Sequence, residues 1–240
     1  MANFKANKVL INKERLKMSN MDEKIISMIH ASRQKKEGLP YDLPILEEGE
    51  DPHIESKDES LKKIDIRHLF VSIGEGSFPF HEASLLDHQI TIHMPRLFRL
   101  MTPQEASLKY PSERRPTLIY TNTNATINLT FNHTSSLLDY EEIEEFTQAM
   151  STILQANQPI RQWIGHGLYA AGEQQYGYCE FISPALNTDV YNLMFFASLQ
   201  GKALIGGFNC IESDQIDWQP IAWAMLESLV VHEHVQGGKV

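Results

Sequence analysis

The chain has 240 residues and an apolar fraction of 42%, enough for one ordinary globular domain with sequence to spare. Its net charge of −10 is unevenly spread: residues 1 to 65 hold 12 of the 21 Lys and Arg, while residues 86 to 233 hold 7 against 16 Asp and Glu, a net of −9. An acidic body repels phosphate backbones and anionic headgroups, so nucleic acid and membrane surfaces are excluded as general partners and a basic or neutral protein is favoured.

Met1 to Lys17 has no apolar core of signal-peptide length, and no run in the chain approaches the roughly 18 apolar residues that a spanning helix needs. The expectation is a cytoplasmic protein. From Ser19 to Gln34, Met21, Ile25, Met28 and Ile29 recur at helical spacing, and Ser19 with Asp22 forms a capping-box pattern. Such a short helix is unstable alone, so its apolar stripe must dock on the main domain, on another subunit or on a partner. Gly38 to Ser60 contains Pro40, Pro44 and Pro52 beside Glu47, Glu48, Glu50 and Asp51 and reads as a solvated linker. Residues 1–60 therefore form a charged extension, 61–233 a single α+β domain and 234–240 a frayed tail.

The domain opens on a predicted strand from Ile64 to Ile73, a turn at Gly74-Glu-Gly76 and a return through Ser77 to Phe80. Gln89 to Met94 alternates apolar Ile90, Ile92 and Met94 with polar neighbours, the mark of a half-buried strand. Thr102-Pro103 opens a short helix to about Tyr110, and strands follow at Thr117 to Thr121 and Ala125 to Asn132, with Ile127, Leu129 and Phe131 inward. Asp139 and Glu142 cap a helix to about Gln155 whose stripe is Ile143, Phe146, Met150 and Leu154. Strands then run over Ile160 to Ala170, Gln175 to Ser183, Val190 to Leu199 and Lys202 to Cys210, the last pair as a hairpin around Gln200-Gly201. Asp217 caps a final helix with Pro220 in its first turn, burying Ile221, Met225, Leu229 and Trp223. This order predicts one curved antiparallel sheet with helices packed against it.

Few residues carry recognisable chemistry. Lys109, Arg114 and Arg115 gather on a proline-bounded loop, where guanidinium groups clamp a carboxylate or phosphate or else satisfy nearby acids and carbonyls. Phe78 and Phe80 on the first hairpin either meet a partner or fold back onto their own sheet. Cys179 with His166 and Glu173 or Glu180 offers the ingredients of a thiol nucleophile, but nothing in the spacing sets its geometry. Cys179 and Cys210 sit among apolar residues and read as reduced, buried thiols. His232-Glu-His234 is spaced wrongly to share a helical face, so it marks a solvated end rather than a metal site. The sequence calls for neither cofactor nor metal.

Together with this order of elements, Ile90-Thr-Ile-His-Met-Pro95, Tyr178-Cys-Glu-Phe181, Asn192-Leu-Met-Phe195 and Trp218-Gln-Pro-Ile-Ala222 resemble the PsbP-like superfamily over residues 86–233. The resemblance implies an α/β/α sandwich that binds other proteins and shares no catalytic residues; the extension before about Ser84 departs from the minimal domain. The preferred reading is thus a non-catalytic protein-binding or accessory module, adaptor, chaperone-like or immunity-like, and not an enzyme. One alternative is a binder or hydrolase of a small anionic ligand at Arg114 and Arg115. Another is a homodimer through a sheet edge or the N-terminal helix.

Overall fold

A computed structural model describes residues 64–68, 70–111 and 115–232. The stripe of Met21, Ile25, Met28 and Ile29, Arg114 and the terminal tail lie outside the described residues. The first hairpin pairs β1 (Phe70–Ile73) with β2 (Gly76–Leu85), and β2 pairs in turn with β3 (Ile90–Pro95). The first strand starts at Phe70 rather than Ile64, because residues 66–68 turn. After β3 come the two-residue β4 (Arg99–Leu100), helix α1 (Pro103–Lys109), β5 (Leu118–Thr121) and β6 (Ile127–Leu137).

Helix α2 (Ile143–Asn157) follows a 3-10 turn at Tyr140–Glu142, and the Glu142 carboxylate accepts the Asp139 N–H at 3.1 Å. Its predicted stripe of Ile143, Phe146, Met150 and Leu154 is buried. Four long strands run antiparallel after it: β7 (Gln162–Ala171), β8 (Gln174–Pro184), β9 (Asp189–Leu199) and β10 (Lys202–Ile211). The β9–β10 hairpin turns at Gln200 and Gly201, both at positive φ, as a tight two-residue turn requires.

Helix α3 (Gln215–Glu227) begins earlier than Asp217 predicts, because β10 runs into a 3-10 turn at Glu212–Asp214 that starts the winding. Asp217 instead faces the first hairpin: a Cβ on Gly74, at φ +55, would lie 2.8 Å from its Oδ2. Pro220 accordingly sits inside the helix. A short β11 (Val230–Val231) closes the chain against β3.

Among the described residues the strands form two sheets, of order β1-β2-β3-β11 and β4-β5-β6-β10-β9-β8-β7. The expected curved antiparallel sheet flanked by helices is present as the seven-stranded one. The small sheet is the part that the order of elements does not reveal. On one face of the large sheet α2 covers Cys179, Phe181, Phe196 and Ala203, while α1 covers Ile119 at the β4 end. On the other face α3 lies against β9, β10 and β3, so Trp218 and every residue from Ile221 to Leu226 is buried. From Ile221 to Leu226 the helix is apolar on every side, because it packs against strands of both sheets.

Candidate functional site

The richest surface lies at the β4 end, where the chain leaves β3 and crosses to α1. Pro95 stops the β3 ladder, the Phe98 N–H bonds the Pro95 carbonyl at 3.0 Å, and the Met101 N–H returns to Ile119 at 2.8 Å. This tight path drives Phe98 inward, stacked 6.1 Å from Trp218 of α3, and leaves Leu97 outside. Thr102 caps α1: its hydroxyl accepts the Glu105 N–H at 3.3 Å, and Glu105 accepts the Thr102 N–H at 2.9 Å, a reciprocal capping box. Arg99 then grips both Glu105 oxygens, at 2.8 and 2.7 Å. The Arg99 bonds, followed by those from Thr102, lower the Glu105 carboxyl from its ordinary 4.5 to about 2.

Two clefts flank this segment. The larger, about 420 Å³, opens between α1 and the start of β5, with Leu100, Met101, Ala106 and Ile119 as apolar lining and half-buried Arg115 at its wall. The smaller, about 220 Å³, is walled by Phe78, Leu97, Phe98 and Trp218 and bounded by residues 122–124. Leu97 is 66% exposed, Leu100 49% and Leu108 79%.

The residues singled out in the sequence are distributed unequally over this surface. Arg115 lines the larger cleft, but Lys109 does not: its ammonium donates to the Ala125 carbonyl, and burial lowers its pKa. Phe78 lines the smaller cleft, edge to face with Trp218 at a ring-centre distance of 5.6 Å. Phe80, 3% exposed, belongs to the core and offers no surface to a partner.

The register does bring Cys179 and His166 together, as cross-strand neighbours on β8 and β7. Their chemistry is that of a packed interior. Cys179 is sealed under α2 and its thiol is pushed up to about 12 by burial, while His166 bonds Gln148 at 3.0 Å and is lowered by desolvation. His133 bonds the Leu199 carbonyl at 3.2 Å, and the N–H of exposed His232 bonds Gln89 at 2.8 Å. Among the described residues no group of three His, Cys, Asp or Glu is set to hold a metal.

The sequence gives little sign of one further feature, a buried polar centre on β8. Glu180 is fully buried, and its Oε1 accepts from Tyr191 at 2.6 Å, Gln219 at 2.6 Å and Trp223 at 3.3 Å. Burial, followed by Glu180 itself, holds the Tyr191 hydroxyl well above its ordinary pKa. Only an acid between Cys179 and Phe181, on a strand with no other charge, hints at it.

No protein-family model and no curated protein matches the chain. Several solved structures do. The solution structure of PsbP from the cyanobacterium Synechocystis sp. PCC 6803 matches with a TM-score of 0.45 and 14% identity, over 66% of this chain and 96% of that one. LpqN of Mycobacterium tuberculosis, described as involved in cell envelope biogenesis, matches at 0.42 and 12%, over 64% and 92%. The immunity protein TplEi of the T6SS from Pseudomonas aeruginosa matches at 0.36 and 10%, over 68% and 76%. The family named from the sequence is thus among the structures this chain resembles.

Proposed function

We propose that this chain is a cytoplasmic, non-catalytic accessory module that binds another protein through the surface around Leu97, Leu100 and Leu108. The observation that carries this reading is the concentration of three exposed leucines within residues 97–108, two of them lining clefts. Single exposed leucines are ordinary, but apolar side chains gathered beside concave, aromatic-walled surface are what protein interfaces bury. The acidic body selects a basic or neutral partner. Affinity capture from the native cell, with the full chain beside a Leu97→Glu/Leu108→Glu variant shown to be folded by circular dichroism, tests the reading. A stoichiometric protein that the variant loses by about tenfold or more is expected. A partner bound equally well by both proteins, or none, rejects it.

A second reading, a small anionic ligand held by Arg115, is supported by the larger cleft, whose volume of about 420 Å³ suits a small molecule. Thermal-shift measurements with inorganic phosphate and dicarboxylates, repeated on Arg115→Ala, separate the two. A stabilisation that vanishes in the variant favours the ligand.

A further inference from the structure

At one corner of the molecule acids gather that no described cation pairs. Asp139, Glu141, Glu142, Glu144 and Glu145 fall together at the start of α2, all but Glu142 exposed. The Tyr140 hydroxyl donates to the Glu173 carbonyl at 3.4 Å, which ties this start to the β7–β8 turn. On the other face the Tyr176 hydroxyl donates to the Leu229 carbonyl at 2.6 Å and the Gln174 amide to the Val231 carbonyl at 2.7 Å. The end of α3, with Glu227, thereby reaches the same turn. Between the two helices lies the outer strand β7, whose ten residues include no Asp, Glu, Lys, Arg or Pro. A long uncharged outer strand is the kind that proteins cover with a helix or loop. Among the described residues no ion pair includes Glu142, Glu145 or Glu227. Yet these three, and Tyr169 on β7, are each engaged by more than the described residues show.

We propose that the cover is the chain's own segment 19–34, docked as a helix along the β7 edge with Met21, Ile25, Met28 and Ile29 inward and its cations towards the acids of α2 and α3. Charge selects this occupant. Residues 1–36 hold nine Lys and Arg against three Asp and Glu, whereas residues 139–145 hold five acids and no cation. The stripe needs an apolar partner, because so short a helix is unstable alone. Half-buried Ile164, Leu168 and Tyr169 supply apolar surface on both faces of β7. A helix of this length runs about 24 Å, enough to pass the sheet from the α2 layer to the α3 layer. The linker over 35–63 extends up to about 90 Å, so reach sets no limit, and tethering raises the local concentration of the segment above that of a free partner.

Carbodiimide cross-linking of the full chain, read by mass spectrometry, tests the assignment. Links are expected from Lys24, Lys35 or Lys36 to Glu144, Glu145 or Glu227, in monomer-sized material and at a yield that dilution leaves unchanged. Hydrogen exchange gives a second readout. Amides of residues 21–33 are expected to exchange at least about tenfold more slowly in wild type than in Met28→Glu/Ile29→Glu, whose changes lie outside the folded domain. Both signals should weaken as salt rises, since the ion pairs lie at the surface. Unprotected amides over 21–33 in wild type overturn the proposal, as does protection there without links to these acids. So do links formed only between copies, links only to Glu105 beside the 97–108 surface, or a variant that cross-links and exchanges like wild type.

Discussion

At its β4 end the large sheet finishes in two residues whose charge, Arg99, is locked to Glu105 of α1, whereas at its β7 end it finishes in ten uncharged residues. The β4 end denies a strand but offers side-chain recesses, with exposed leucines lining them. The β7 end has neither of the two clefts, and among the described strands β7 pairs with β8 alone. The two ends of one sheet therefore differ in charge, in length of outer strand and in the recesses beside them. They are also stabilised differently. The β7 end is anchored from within, through Glu180 on the neighbouring strand and α2 above it, and the β4 end by a cap and an ion pair in solvent.

That contrast predicts where substitutions hurt, and the largest effect belongs to Glu180→Ala. It leaves the Tyr191 hydroxyl, the Gln219 amide and the Trp223 N–H buried without their common acceptor, a loss of about 3–5 kcal/mol in urea unfolding. A loss under about 1 kcal/mol would mean that water takes over and the anchor is not internal. Gly177→Ala ranks next. Its Cβ would sit 1.8 Å from Thr147 Oγ1, whose β-branched side chain has little room to turn on α2, so lifting that helix costs about 2 kcal/mol. An unchanged denaturation midpoint would show that α2 is looser than its packing implies.

Thr102→Ala at the other end removes one capping bond and should cost about 1 kcal/mol, read as a small fall in midpoint at constant slope. The smallest effect is the pH dependence of the Arg99–Glu105 pair. Because Glu105 is lowered from 4.5 to about 2 in the folded chain, its contribution is present above 4.5 and fades as pH falls towards 2. Glu105→Gln should flatten stability across that window and leave it nearly unchanged at neutral pH relative to Arg99→Ala. A wild-type profile that matches the variant's between pH 2 and 5 would remove the latch from the comparison.

Where a stretch of chain could state its own partner, sequence reasoning reached the structure. The α2 stripe repeats at helical spacing behind Asp139 and Glu142, and Ile90, Ile92 and Met94 alternate, so period alone assigns helix and strand and the buried face of each. Gln200-Gly201 announces a hairpin for the same local reason. Legibility ended where the partner is distant. Asp217 looks like a cap, yet β10 feeds a 3-10 turn ahead of it, and Asp217 faces the Gly74 turn instead. The candidate site was half visible: Arg115 and Phe78 do line the clefts, while Leu97, Leu100 and Leu108 look in sequence like any apolar residues until the fold leaves them outside.

The amino-acid sequence by itself determined the α+β class, the acidic body, the antiparallel run of long strands and the buried faces of most elements. These follow from composition, from periods of 2.0 and 3.6 residues and from turn chemistry, all of which act over a few residues. Only the tertiary structure decided that the strands divide between two sheets with α3 held between them, that Glu180 collects donors from β9 and α3, and that β7 is left as an outer strand. Strand order and burial depend on contacts between residues far apart in the chain, and no local pattern encodes which strands will lie side by side.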